Sequence, residues 1–511
     1  MADAERTGVV YLVGAGPGDV GLLTLRAVEC LREADFVLYD YLTSPRALDF
    51  APPHAELLCV DQLPGAHPQR WPHIHDRLIA EARKGRTVVH LKGGDPLIFG
   101  RGGEEAEALR SAGVRYEIVP GVTAAFAAGA HAEIPLTHRS HASAVALVTG
   151  HEHPGKASSR LDWDALARFP GTLVVYMGVA RLPVICQELI ARGRAPDTPA
   201  ALVHRASTGD QLTVAGSLAT LDEAVRAAGA TSPSLVLVGP VVGLKPKASW
   251  AEARPLAGMR VLVTRPKAQG LPFVRQLEHL GAVADLLPAI EVREPADWGP
   301  TDAAIDQLRA GAYGWVVFTS ANGVAAFLAR LKTRRLDART FGTARIAAIG
   351  PATAAALAER MLMADLVPKE SNAEGLAATL DPACRGTRVL LAVAVQGREE
   401  LRTQLAAIAT VDVAPVYEQV EAVPEAPEIF DRLRRGEYRA VTLTSPNVAK
   451  ALLGACDETV RDRFRSGHTA LVANSDRLAK WLDDTGYPSV KAAGPTANDL
   501  VNRLIQLRGS T

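Results

Sequence analysis

Short runs of β-branched residues alternate along the chain with longer segments in which apolar residues recur at helical spacing. VVYLVGAG at Val9 precedes LLTLRAVECLREA, RTVVHLKGGD at Arg86 precedes GEEAEALRSAG, and YEIVPG at Tyr116 precedes VTAAFAAGAHA. This rhythm predicts βα units and a mostly parallel sheet. A second series, AVALVTGHE, TLVVYMG, PAALVHRAS and SLVLVGPVVG, carries it on to Gly243. From there to Gly258 the sequence GLKPKASWAEARPLAG loses its period and gathers prolines and charges, the mark of a linker.

Beyond the linker the chain resembles itself. RVLVTR at Arg260 is echoed by RVLLAV at Arg388, and VVFTSANGVAAFL at Val316 by VTLTSPNVAKALL at Val441. RIAAIGPATAAALAER at Arg345 is echoed more faintly by TALVANSDRLAKWLDD at Thr469. A duplicated α/β module makes two lobes, and the cleft between lobes is a favoured place for a ligand. The fold class is therefore α/β throughout, in two successive modules.

Composition narrows the chemistry. The chain has 511 residues with 56 Lys+Arg against 56 Asp+Glu, so no long-range positive field draws it to nucleic acid or an anionic membrane. An acidic ligand must meet cations placed locally. Aromatic residues make up 5%, few for a single-strand nucleic-acid binder. Cys30, Cys59, Cys186, Cys384 and Cys456 are scattered, without a CxxC pair or a histidine cluster, so neither a disulfide framework nor a metal site is expected. The start of the chain lacks a signal-peptide pattern and no apolar run spans a bilayer. A cytoplasmic protein is the expectation.

Val13-Gly14-Ala15-Gly16-Pro17-Gly18-Asp19 lies between a predicted strand and a predicted helix, where glycines let a ligand approach the backbone. Its G-x-G-x-G spacing differs from the dinucleotide fingerprint, and Pro17 removes an N–H that a phosphate cradle would use. The loop suits a nucleoside or another flat ligand; a tight structural turn is the other reading.

Together with that loop, VLYDYLTS at Val37, LKGGDPLIFGRGGEEAEAL at Leu91, VPGVTAAFAA at Val119, AEIPLTHRS at Ala132, VTGHE at Val148 and YMG at Tyr176 resemble the uroporphyrinogen-III C-methyltransferases. The likeness runs over residues 8–244 and implies a two-lobed tetrapyrrole methylase fold. It further implies S-adenosyl-L-methionine as methyl donor, no metal, precorrin-2 as product on the way to sirohaem or cobalamin, and a homodimer formed through this half. Carried across by position, Pro17, Gly93, Gly94, Asp95, Ile98, Thr123, Ala124, Met177 and Ala206 fall in the donor pocket, and Asp40 matches the proton acceptor. A pyrrole that takes a methyl cation equivalent must shed a proton, and a carboxylate at a strand end suits that task. Arg101, His138 and Arg139 are the candidate contacts for an octacarboxylate substrate, with Lys92 a further cation in the same blocks. The chain departs from the family pattern at Val60-Asp61-Gln62-Leu63 and Arg70-Trp71-Pro72, where Gln62 replaces the lysine that serves as proton donor, and at Ala206, where glycine is common.

Residues 259–507 resemble uroporphyrinogen-III synthase through VLVTRP at Val261, VVFTSANGV at Val316, AAIGPATAAAL at Ala347, SNAEGLAATL at Ser371, PVYEQV at Pro415 and LTSPNVAKAL at Leu443. The resemblance implies a duplicated two-lobed α/β fold, with lobes at about 259–292 plus 419–507 and at 293–418, after a linker at 245–258. It implies cofactor-free closure of hydroxymethylbilane to uroporphyrinogen III. Tyr417 matches the tyrosine that helps the hydroxyl leave. Thr319, Ser320, Asn322, Thr353, Ser445 and Asn447 are candidate substrate contacts at turns and helix starts, where backbone N–H groups suit carboxylates. A helix N-cap is the other role those residue types fill. Val393-Ala394 stands where Arg-Gly is common before Gly397-Arg398, and Asn474-Ser475 replaces a second Ile-Gly-Pro turn.

The combined expectation is a bifunctional enzyme acting on small tetrapyrroles, without nucleic-acid or membrane partners. Two rivals fit the same residues: a methylase of a related corrinoid, and a methyltransferase whose C-terminal half binds a tetrapyrrole or regulates without turnover.

Overall fold

The computed structural model describes residues 8–64, 71–150, 161–370, 372–397, 399–492 and 494–509; of the motif residues above, Arg70, His151, Glu152, Ser371 and Arg398 lie outside these. The chain forms two compact units, Met1–Met259 with Glu278–Val283, and Arg260–Leu277 with Ala284–Thr511.

In the first unit, β1 (Val9–Gly14), β2 (Phe36–Tyr39), β3 (Glu56–Cys59), β4 (Thr87–Lys92) and β5 (Arg115–Val119) form a sheet in the order β3-β2-β4-β1-β5. Every pairing is parallel. Strands of a parallel sheet covered on both faces read as continuous apolar runs, and β1, β2 and β4 do so apart from Thr87 at the start of β4 and from His90 and Lys92, which share one face of that strand and are both buried. The connection leaving β1 crosses to β2, and the one leaving β4 crosses the opposite way to β5. The crevice beyond the carboxyl ends of these two adjacent strands is therefore the switch point where open α/β sheets bind ligands.

A second sheet holds β6 (Val145–Thr149), β7 (Thr172–Tyr176), β8 (Pro199–His204), β9 (Leu212–Ser217) and β10 (Ser234–Val238) in the order β6-β7-β10-β8-β9. Only β6 and β7 are parallel; the other pairings are antiparallel. The rhythm of the sequence pointed to parallel strands here too. The short β8–β9 connection is the physical reason for the difference, because parallel neighbours need a long crossover.

The second unit contains β11 (Arg260–Val263), β12 (Val283–Leu286), β13 (Ile290–Arg293), β14 (Trp315–Phe318), β15 (Arg345–Ala348), β16 (Arg388–Ala394), β17 (Thr410–Glu421), β18 (Ala440–Leu443), β19 (Ala470–Ala473) and β20 (Ser489–Lys491). They form two sheets, β12-β11-β18-β19-β20 and β13-β17-β16-β14-β15. The repeat in the sequence becomes a repeat in space: β11-β18-β19 and β16-β14-β15 are equivalent parallel triplets. The chain starts one lobe, builds the other from β13 to β17, and returns through β18.

All five cysteines are free thiols, and four of them are buried. Among the described residues no helix is long and apolar enough to cross a membrane.

Candidate active site

At the switch point of the first unit, three strand ends meet backbone to backbone. A Cβ on Gly14 would stand 2.6 Å from the Gly121 backbone, and one on Gly121 only 2.2 Å from the Gly94 carbonyl oxygen. Neither position tolerates a side chain. Gly16 and Gly94 exchange hydrogen bonds, the Gly16 N–H donating at 3.1 Å and the Gly94 N–H at 2.8 Å. Gly94 is constrained by its φ of +69° rather than by space, since its nearest neighbours would lie in ordinary contact at 3.7 Å. Beside Gly93, a Cβ would meet only the Leu42 side chain, at 3.6 Å.

The other residues expected in the donor pocket lie on the loops that follow β1, β4, β5, β7 and β8. Asp95 accepts the Leu97 N–H at 2.8 Å on one oxygen and the Gly121 N–H at 3.1 Å on the other, which ties the loop after β4 to the end of β5. Thr123 begins the helix Ala124–Ala132, and its Oγ1 bonds the Tyr176 hydroxyl at 2.7 Å. That hydroxyl also accepts the Ala125 N–H at 3.1 Å, and the Phe99 ring lies 4.8 Å from the Tyr176 ring. Ile98 and Ala124 pack on the core of the second sheet, next to Tyr176 and Ala206. The Asp19 N–H donates to Ser207 Oγ at 3.3 Å, so the Pro17 loop reaches the turn that carries Ala206. Phe99, Arg101, Met177, Arg205 and Ser207 all have left-handed backbone, a strain that tends to gather at functional sites. Tyr41, Leu42, Leu97, Phe99 and Met177 expose large apolar surface on these same loops, as a site for a flat ligand requires.

Asp40 follows β2. One carboxylate oxygen accepts the Gly93 N–H at 3.3 Å, and the other faces His90 Nε2 at 3.7 Å, beyond hydrogen-bond reach. Burial alone would raise this carboxyl, but the charges of His90 and Lys92 and the Gly93 N–H outweigh it and hold Asp40 below the usual carboxylate range. His90 Nδ1 meets Glu105 at 2.9 Å, and Lys92 donates to Glu105 at 2.6 Å. Lys92 is 1% exposed, so it is not a surface cation awaiting substrate. Gln62 turns back on its own 3₁₀ turn, where Oε1 accepts the Cys59 N–H at 3.2 Å.

Of the candidate substrate cations, Arg101 lies over the Trp71 ring at 4.1 Å and pairs with Glu104 at 3.0 Å. His138 sits in a tight turn that closes on Ala142, its Nδ1 accepting the Ser140 N–H and its ring 4.8 Å from that of His141. Arg139 is exposed in the same turn.

In the second unit, Tyr417 on β17 is 5% exposed and its hydroxyl lies 3.1 Å from Ser320 Oγ. Burial pushes this phenol above its ordinary pKa, against the pull of Ser320 and Gln419, so it stays protonated. Opposite Tyr417 the ladder bulges between Val393 and Ala394, where the family pattern has Arg-Gly. Ser320 caps the helix Ala321–Thr333 by accepting the Gly323 N–H at 3.0 Å, and Ser445 caps Pro446–Ala455 by accepting the Val448 N–H at 3.3 Å. Both therefore serve as caps. Thr353 is buried in the first turn of Pro351–Ala358, Thr319 directly follows β14, and Asn447 is exposed. Across the lobes, Gln269 donates to Asn322 Oδ1 at 2.5 Å.

Gly14 was read from the sequence as part of the first glycine loop, and Gly121 and Tyr176 lay in quoted motifs without a role of their own; His90 and Glu105 were given none. A signal existed for His90 and Lys92: polar residues two apart in an otherwise apolar strand require a buried partner. Which helix would supply Glu105 could not be read from spacing.

Residues 9–222 match the family described as Tetrapyrrole (Corrin/Porphyrin) Methylases, and residues 272–502 match Uroporphyrinogen-III synthase HemD. The chain is 37% identical to a uroporphyrinogen-III C-methyltransferase of Bacillus subtilis over 72% of its own length and 74% of the relative's. It is 32% identical to a porphyrin biosynthesis protein, HemD, of Ruminiclostridium josui over 98% of both chains. A solved uroporphyrin-III C-methyl transferase of Thermus thermophilus, in complex with S-adenyl homocysteine, is 43% identical, covering 46% of this chain and 100% of that one, with a TM-score of 0.39.

Proposed function

Because the chain belongs to the family of uroporphyrinogen-III C-methyltransferases, here continued by a uroporphyrinogen-III synthase module, we propose that its first unit methylates uroporphyrinogen III to precorrin-2 and its second makes that uroporphyrinogen III from hydroxymethylbilane. The chain is a bifunctional enzyme of tetrapyrrole biosynthesis. In this reading residues 8–244 hold the methylase, 259–507 the synthase, and the product enters the sirohaem or cobalamin branch. The observation that carries the proposal is the crossing of Gly14, Gly94 and Gly121 at the switch point beside Asp40, whose carboxylate accepts the Gly93 N–H at 3.3 Å.

The crevice fits a nucleoside-bearing methyl donor, because side-chain-free backbone at Gly93 and Gly94 is flanked by exposed apolar residues. S-adenosyl-L-methionine supplies the methyl group when bound. Gly93, Gly94, Ile98, Thr123, Ala124, Met177 and Ala206, with the Pro17 loop, hold that ligand, and Asp95 keeps the loops in register. Asp40 takes the proton that the methylated ring sheds. Arg101, His138 and Arg139 meet substrate carboxylates, Arg101 from a geometry already fixed by Trp71 and Glu104. In the second unit, Tyr417 remains a neutral acid that assists departure of the hydroxyl, while Thr319, Ser320, Asn322, Thr353, Ser445 and Asn447 mark the backbone N–H groups and polar edges that fold the polyanion. A cytoplasmic homodimer joined through the first unit completes the reading.

Incubating the purified chain with uroporphyrinogen III and isotopically methyl-labelled S-adenosyl-L-methionine tests the first half. Label in a dimethylated tetrapyrrole is the expected result; donor binding without label transfer to this substrate would point to another acceptor.

A further inference from the structure

Beneath the loop that carries Asp40 runs a row of ionisable groups that the chemistry above does not employ. His90 and Glu105 are 0% exposed and Lys92 is 1% exposed. Lys92 Nζ meets Glu105 Oε1 at 2.6 Å, Glu105 Oε2 meets His90 Nδ1 at 2.9 Å, and His90 Nε2, buried and without a hydrogen-bond partner, faces Asp40 Oδ1 at 3.7 Å. The far end of the row is the least buried, with the Asp40 side chain 26% exposed.

With an imidazolium at its centre the row alternates ammonium, carboxylate, imidazolium, carboxylate and sums to zero. With neutral imidazole it would leave one uncompensated negative charge in a dry place, a state that costs several kcal/mol before relaxation. Burial alone would lower His90, but Glu105 and Asp40 together prevail over it and over the repulsion of Lys92, and the imidazole is held above its ordinary value.

We propose that His90 is a positioning residue for methyl transfer: clamped by Glu105, it keeps Asp40 ionised and aimed into the crevice, ready to take the proton of the methylated ring. The proposal rests on Asp40 being the base in the reading above. In the step itself, the ring carbon gains the methyl group, the sulfur–methyl bond breaks with its electron pair going to sulfur, and the cationic ring yields a proton to Asp40. A cationic ring is acidic enough to protonate even a carboxylate of low basicity. A carboxyl already protonated by its own burial can accept nothing, so ionisation matters more than basicity here. The groups facing His90 are Asp40 after β2, Lys92 on its own strand and Glu105 on the helix Gly102–Ser111. His75, on the helix Trp71–Arg83, feels the charges of Glu105 and Arg101.

Two measurements on the full chain test this. The first follows the imidazole signals of ¹⁵N-histidine-labelled protein against pH, with the His90 signal identified by its loss in His90→Gln or His90→Arg. A His90 midpoint above that of a free histidine, falling in Asp40→Asn, is expected; a midpoint at or below the free value, or indifferent to Asp40→Asn, overturns the proposal. The second is the pH profile of methyl transfer. His90→Gln is expected to move the acid limb upward by about one pH unit or more with donor affinity unchanged, and His90→Arg, a permanent cation, to restore it. Loss by the same factor at every pH, with an unmoved acid limb in both variants, means a merely structural histidine. Coupling between His90 and Asp40 in a wild type that transfers no methyl group leaves the clamp standing and removes the methyltransferase reading instead.

Discussion

In the proposed function, the two candidate sites of this chain solve related problems with opposite materials. The first sets a row of buried charges under a crossing of glycine backbones; the second sets a neutral phenol against a serine that caps a helix. The difference follows from the chemistry assigned to each. Methyl transfer needs one small donor held exactingly and one carboxylate kept ionised, and in a buried place only compensating charges do the latter. Closing a flexible polyanion needs a weak acid and many hydrogen-bond donors, and neutral groups and helix starts supply them at little cost in desolvation.

The sharpest way to break this contrast is at Asp40. Asp40→Asn is expected to slow methyl transfer by about 10²–10⁴-fold, the range of a general base, with donor affinity and synthase rate unchanged; steady-state kinetics with uroporphyrinogen III and calorimetry with S-adenosyl-L-methionine measure both. Glu105→Ala tests the charged row as a structural element. Removing one partner of a buried pair costs about 3–5 kcal/mol, so the unfolding transition of the first unit should fall while that of the second stays.

The pH dependence of stability should separate the units as well. Asp40 and Glu105 are held low, Glu105 by His90 and Lys92 against its own burial, so what they contribute is present above the ordinary carboxylate range, about pH 4, and is lost as pH falls through their lowered values. His90 is held high, so its contribution is present below about pH 6.5 and is lost as pH rises through its raised value. Thermal melts across pH should show a maximum for the first unit between these limits, and His90→Gln should remove the decline on the alkaline side.

In the second unit, Tyr417→Phe is expected to cut the rate of ring closure by about 10²-fold while the type III isomer persists, because the acid leaves and the folding of the substrate stays. Isomer analysis by chromatography reads rate and outcome separately. Gln62→Lys carries the smallest expected effect, a gain in methyl transfer that stays within the reach of a single general acid. Positioning of donor and acceptor supplies about 7–11 kcal/mol, and position 62 lies on a short turn whose side chain caps its own backbone.

Much of this was legible in the amino-acid order. The glycine loops after β1 and β4 and the echo between Val316 and Val441 led to the switch point and to the equivalent triplets β11-β18-β19 and β16-β14-β15. The antiparallel second sheet was not legible, because a βα rhythm records which segments are strands and not which way neighbours run. Nor was the partnership of His90 with Glu105, which lie 15 positions apart and meet only when the helix Gly102–Ser111 packs on β4. Lys92 illustrates the same gap from the other side: as a residue type it suggested a substrate contact, and burial against Glu105 made it part of the frame.

The most direct test of one chain with two linked activities is to supply hydroxymethylbilane and methyl-labelled S-adenosyl-L-methionine together and identify the tetrapyrroles formed. The account predicts labelled dimethylated product of the type III series, with unlabelled uroporphyrinogen III accumulating in its place in Asp40→Asn. Only the uninverted isomer from hydroxymethylbilane, together with no label transferred when uroporphyrinogen III is given directly, would contradict it.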